Sequence, residues 1–452
     1  MIALRKRVAA LAAMRLRARP HLTMTDPNQT KLDEGGWGKA ERKYGPEELG
    51  YDYDHAILEA TRLWDELKRC HASRRWKYPP RDAAFEHLLG AWRTHPGKAI
   101  VHLFDQPDFV HVTLDADGIE LLKKEWWKLV AEHGFREAYK QHPGVYHSTT
   151  GAHLTISVDE VRRLAAGTGT SFEEHIVEVR PGANGKPFST RLPIRVDTET
   201  YGELFGFYGD LMQRKGGHVT KDKEVQEEFV RVVVGALGEV DVTTRAIGEY
   251  TATYTTSTIQ HLLHIGGLDT SVRQLSADNP APLFLFEAPD NVVSAYLRSL
   301  FESEGGVSYN KKRGRPGSVD LHQAVICSPP EQHVIPRHPK KVSYRKIGSP
   351  ADLLGRPPRL LVAAALLLIR LGISSHLYPD TLYTNDFGEK VMRWKAMVTG
   401  EDIQTYADKI GFISTRKKNQ LHRRNEDSSS PSSPLFCAER RWMLKLGARV
   451  IR

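Results

Sequence analysis

Apolar residues recur at helical spacing early in the chain, in Ile57, Ala60, Leu63, Trp64 and Leu67, and again in Phe85, Leu88, Leu89 and Trp92. Both stripes predict amphipathic helices. Two short apolar runs at 99–103 and 109–114 predict strands. The turn Asp115-Ala-Asp-Gly118 then leads into a helix carrying Leu121, Leu122, Trp126, Leu129 and Val130. Together, residues 25–150 are expected to form an independent mixed α/β module with an aromatic core and no evident chemistry.

Residues 153–167 predict a short helix, with Ser157 as N-cap and Glu160 completing a capping box. A second helix is expected from Gly169-Thr-Ser-Phe-Glu-Glu. Two short helices across a glycine turn suit a helix-turn-helix, and suit ordinary helical packing as well. The loop 181–187 is not a P-loop: its glycine spacing is wrong and Pro187 stands where a hydroxyl is needed.

From about residue 195 the pattern becomes regular. One apolar helix with small residues on one face ends in Leu204-Phe-Gly-Phe-Tyr-Gly-Asp210. Another ends in Leu297-Arg-Ser-Leu-Phe-Glu-Ser-Glu-Gly305. After the second motif come strands at 307–309 and 319–327, a helix over 351–371, strands at 373–378 and 391–398, and a helix at 401–410. The order is αββαββα. The first motif is followed by a more degenerate version, with amphipathic material at 229–237 and a strand at 250–254. Two carboxylates at the ends of two such helices suggest a pseudo-twofold α+β protein that brings Asp210 and Glu304 together.

Composition narrows the partner. The chain has 452 residues and a net charge of +9, which favours an anionic partner, most simply nucleic acid. Its three cysteines include no CxxC, so a disulfide framework and a Cys-based zinc site are both disfavoured. The most apolar run, 360–369, is too short to span a membrane and predicts a buried helix. Residues 1–24 are rich in Arg and lack acids, as in a transit peptide or an extension upstream of a start at Met14 or Met24. Residues 423–452, with a Ser/Pro run at 428–434, are expected to be a disordered basic tail. His261 and His264 share a helix face but lack a third ligand, and read as ordinary histidines.

These motifs resemble the LAGLIDADG homing endonuclease family. The second motif matches its nonapeptide at Leu297, Leu300, Phe301, Glu302 and Glu304-Gly305. The runs Leu366-Leu-Leu-Ile-Arg-Leu-Gly-Ile-Ser-Ser and Ile403-Gln-Thr-Tyr-Ala-Asp-Lys-Ile-Gly-Phe-Ile-Ser-Thr-Arg-Lys-Lys also fit. The resemblance covers about residues 195–421. It implies a pseudo-twofold pair of αββαββα units, 196–285 and 286–422, forming a saddle-shaped DNA-binding sheet. The mixed N-terminal module and a lead-in at 151–195 would precede them.

It also implies a monomeric double-stranded DNA endonuclease using Mg²⁺ or Mn²⁺, with Asp210 and Glu304 as metal ligands and catalytic acids. Lys417 or Lys418 would lie near the phosphate, and Glu302 would face away. The expected setting is the cytoplasm or nucleoid of a prokaryote, or an organelle in a eukaryote. Lys311, Lys312, Arg313 and Arg315 lie between two strands and should tip a β-hairpin that meets DNA. Arg337, Lys340, Lys341, Arg345 and Lys346 form a second basic stretch. The first motif departs from the pattern: Leu211 follows Asp210 where the family has Gly, and the spacing from Gly206 is one residue short. That leaves an alternative without cleavage, an intron-RNA maturase or a DNA-binding regulator.

Overall fold

The computed structural model describes residues 44–73, 80–151, 155–183, 185–209, 217–255, 258–268, 279–310, 315–326, 342–343, 356–384 and 390–422. The expectations for Asp210, Lys311, Lys312, Arg313, Arg337, Lys340, Lys341, Arg345, Lys346 and the two termini lie outside them.

The described helices are α1 (Tyr53–Ser73), α2 (Asp82–Thr94), α3 (Ala116–His133), α4 (Phe135–Gln141), α5 (Pro143–Thr149), α6 (Val158–Thr168), α7 (Glu199–Tyr208), α8 (Lys223–Leu237), α9 (Thr258–Ile265), α10 (Asp290–Glu304), α11 (Arg359–Arg370), α12 (Asp402–Lys409) and α13 (Thr415–His422). They combine with four small antiparallel sheets in a mixed α+β fold. β1 (Ile100–Val101) pairs with β6 (Ile194–Arg195). A second sheet runs in the order β3 (Ile156–Ser157), β2 (His111–Leu114), β4 (Ile176–Arg180), β5 (Phe188–Ser189). A third runs β7 (Gly217–Thr220), β9 (Tyr250–Tyr254), β8 (Thr243–Ile247). The fourth runs β10 (Gly305–Asn310), β11 (Arg315–Ile326), β14 (Lys390–Thr399), β13 (Ser375–Thr384), β12 (Val342–Ser343).

The element order expected after the second motif is present. After the first motif the described residues hold one strand before α8 and two after it. The order β7-β9-β8 matches β11-β14-β13, with no counterpart of β10 among the described residues.

α11 organises the second half. Every residue from Leu360 to Ile369 is buried, so the helix needs cover on all sides. The sheet covers one side, where Ser375 Oγ donates to Ala365 O at 3.0 Å. α1 and α2 pack on another. His71 Nε2 accepts from Leu377 N at 3.1 Å, and Trp92 Nε1 donates to Ala281 O at 2.9 Å. The first two helices therefore belong to the body of the second half rather than to an independent N-terminal module. An all-apolar helix could not be closed off by its own sheet alone.

The expected helix-turn-helix is half present. Ser157 caps α6 by accepting from Glu160 N, but the Glu160 carboxylate turns to Gly144 N at 2.6 Å. After Gly169, residues Glu173–His175 make a single 3₁₀ turn and β4 follows. Phe172, Ile176 and Val179 are all buried. Their spacing mimics a helix, yet β4 pairs with β2, where a register shift between Thr113 and Leu114 accommodates it.

Two glycines in helices separate packing from propensity. At Gly206 of α7, an added Cβ would overlap the Tyr296 carbonyl and lie 2.9 Å from Ser299 Cβ. Gly206→Ala is expected to destabilise the fold by about 1–3 kcal/mol. Gly90 in α2 is exposed, with nothing within 4 Å of an added Cβ. Gly90→Ala should stabilise by about 0.5–1 kcal/mol. Urea titrations of both variants check the pair.

Candidate functional site

α7 and α10 lie side by side. An added Cβ at Gly202 would meet Val292 O at 2.6 Å, at Gly206 the Tyr296 carbonyl, and at Gly209 Leu300 Cδ1 at 3.3 Å. The partners advance together in sequence, so the helices are parallel and their C-terminal ends converge. Glu304, buried at 8 % exposure, is the last residue of α10. Gly209, the residue before Asp210, lies against the last turns of α10. Glu203 seals the pair from one side: its carboxylate is buried and held by Arg298 of α10 at 3.0 Å and by Arg231 of α8 at 2.7 Å.

Glu302 does not face solvent. Its carboxylate accepts from Ile413 N at 2.8 Å, Ser414 N at 3.1 Å and Ser414 Oγ at 2.8 Å, and lies 3.4 Å from Lys417 Nζ. It is thus occupied by the N-terminus of α13, where backbone N–H groups lack helical partners. Lys417 reciprocates: its ammonium donates to Phe301 O at 3.2 Å and to Glu302 O, at the C-terminus of α10.

Lys417 was expected beside the scissile phosphate. It is instead buried, at 3 % exposure, with its charge directed at helix carbonyls. Burial pushes its pKa down, and Glu302 and then Glu304 oppose that shift. Lys418 is exposed and lines a cavity of about 720 Å³ with Glu224, Arg231 and Phe412. α13 also reaches the first half, where Thr415 N donates to Glu224 Oε2 at 2.5 Å.

β10 and β11 pair antiparallel, with Asn310 opposite Arg315. Seven polar positions on the sheet were not anticipated. The register aligns His322, Lys395 and Tyr378 across β11, β14 and β13, and Lys395 Nζ lies 5.5 Å from the Tyr378 ring centre. Arg393 Nε donates to Asp380 at 2.6 Å, and Ser308 Oγ donates to Asp320 at 2.8 Å. Alternation of polar residues along β11 and β14 was the available signal. His261 meets Phe109 edge-on, and His264 stacks on His95 at 4.5 Å.

Carboxylate oxygens suit Mg²⁺. Among the described residues, however, Glu304 is the one implied ligand present, and no group of three His, Cys, Asp or Glu is placed to hold a metal. The described donors alone fall short of a coordination sphere. No helix of the described residues is long and apolar enough to cross a membrane.

Residues 291–411, from α10 to just past α12, match the family model of the LAGLIDADG-like domain. Solved structures similar to the chain include the homing endonuclease I-DmoI in complex with DNA and Ca, at 9% identity and a TM-score of 0.28, covering 50% of this chain and 99% of that one. Another is full-length DUF199/WhiA from Thermatoga maritima, at 11% identity and a TM-score of 0.27, covering 58% of this chain and 69% of that one. No curated protein matches the sequence.

His218 in β7 gives the site a pH dependence. Its ring stacks on Phe229 at 4.9 Å, and burial pushes its pKa down to about 4, with Glu302 opposing. Between its ordinary value and 4, the unfolded chain binds a proton that the fold does not. Stability is therefore full at neutral pH and lost as pH falls toward 4. Urea midpoints from pH 7 to pH 4.5 should fall less for His218→Leu than for the wild type. Equal falls would show that the His218 ring is not held neutral.

Proposed function

We propose that the chain is a site-specific double-stranded DNA endonuclease acting as a monomer, with Asp210 and Glu304 as carboxylate ligands of Mg²⁺ or Mn²⁺. The observation that supports this reading is the parallel packing of α7 and α10, with Gly209 against Leu300. A bound divalent ion would activate water and neutralise charge on the leaving oxygen. Glu304 is suited to hold such an ion because its backbone is fixed between the last turn of α10 and the Gly305↔Leu321 pair that begins β10. The basic residues Lys311, Lys312, Arg313 and Arg315, which lie in sequence where β10 gives way to β11, would add phosphate contacts and make binding salt-dependent.

A second reading, DNA binding without cleavage, has its own support. The first half contributes three strands among the described residues, and Leu211 breaks the first motif.

A selection on randomised duplex DNA separates the two. The protein is bound in Ca²⁺, washed, and switched to Mg²⁺, and both retained and cut DNA are sequenced. One enriched motif with cut ends is expected. Glu304→Gln should retain the motif while slowing cleavage by about a thousandfold or more. An enriched motif that stays intact with the wild type selects the second reading, and no enriched DNA contradicts both.

A further inference from the structure

A cavity of about 680 Å³ opens between α2 and the start of α11. None of the described residues lining it belongs to a strand. Hydrogen bonds from α2 hold its walls. Arg359, the first residue of α11, lies with Nη2 3.4 Å from His87 Nδ1, and because a guanidinium only donates, the histidine nitrogen accepts. Trp92 Nε1 donates to Ala281 O at 2.9 Å, beside the wall at Pro280. His95 Nε2 donates to His264 O at 2.6 Å, and the two rings stack with centres 4.5 Å apart. The space is thus built into the packing of α2. Its volume is that of a small-ligand pocket, and exceeds what a single phosphate ion fills.

The charges on the lining are unequal. Two guanidinium groups, those of Arg356 and Arg359, border the cavity, and Glu86 is the one carboxylate among its described lining residues. The planar fork of a guanidinium matches the oxygens of a phosphate, and two forks can share one phosphate group. Glu86 repels a bare anion, yet its oxygens accept from hydroxyl groups. The lining therefore suits a ligand that is anionic at one end and hydroxyl-bearing at the other. Room for such a body exists along α2, where a Cβ added at Gly90 would meet nothing within 4 Å.

We propose that this cavity binds a sugar phosphate, free or within a nucleotide, with Arg356 and Arg359 on the phosphate and Glu86 accepting from the hydroxyls. No strand borders the cavity, so its ligand is a small molecule rather than DNA laid against a sheet. The inference does not depend on the reading of Asp210 and Glu304.

The test is isothermal titration of the full chain with ribose 5-phosphate and with AMP. Saturable binding is expected. Tighter binding of ribose 5-phosphate identifies a free sugar phosphate, and tighter binding of AMP a nucleotide. Arg359→Gln should weaken the binding by about tenfold or more, the scale of a lost hydrogen bond to a charged group. Gly90→Leu keeps every charge but projects a side chain into the cavity, and should abolish binding. It decides the matter if Arg359→Gln does not fold. The proposal is overturned if the wild type binds neither probe, or if Gly90→Leu or folded Arg359→Gln binds as the wild type does. Inorganic phosphate binding as tightly as ribose 5-phosphate overturns it too, because the hydroxyl contacts would then be absent. Displacement of the probe by duplex DNA also overturns it, and makes the arginines a DNA contact instead.

Discussion

The close approach of α7 to α10 is the constraint on which the rest of the structure depends. Two helices can bring their backbones into contact only where side chains are absent or small. Gly202, Gly206 and Gly209 on α7, facing Ser299 and neighbouring backbone on α10, meet that condition. The approach fixes the helices as parallel, with Gly209 at the end of α7 against Leu300 of α10. It also creates a seam needing a polar closure, which Glu203 makes with Arg231 and Arg298. Removing one partner would strand a buried charge, so the seam is held at the right distance as well as held shut.

Around this pair the two halves differ in completeness. The second half surrounds the apolar helix α11 with a five-stranded sheet on one side and the early helices α1 and α2 on the other. That cover brings residues far upstream in sequence against the segment that matches the family model. Among the described residues the first half has a smaller sheet, and its helix α8 reaches α13 through Glu224. α13 is the element that touches α8, α10 and β10 alike. It makes the end of α10 a junction of the whole fold.

Much of this was legible in the sequence, for identifiable reasons. The ten apolar residues of α11 could be read only as a buried helix, and the motif at 297–305 marked Glu304 directly. The pairing of β10 with β11 followed from two strand-like runs flanking a basic glycine-containing segment. Other elements were hidden by their chemistry. α13, Thr-Arg-Lys-Lys-Asn-Gln-Leu-His, reads as a solvated basic ending, since nothing local reveals that Lys417 finds a buried carboxylate on α10. Glu302 was expected to face away from the site, and nothing local reveals the α13 groups it meets. β8 has an exposed face along most of its length and no alternation to betray it. Strand β4 carries its buried residues at helical intervals, and only its pairing with β2 decides between the two structures.

The central claim is that the paired helix ends form one metal-binding centre. An anomalous-difference map from crystals of the chain bound to its selected DNA and grown with Mn²⁺ tests it most directly. The account predicts a peak within coordination distance of both the Glu304 and Asp210 carboxylates, beside a phosphate of the DNA. A complex with bound DNA and no peak at the ends of α7 and α10, or a peak held by other residues, would contradict it.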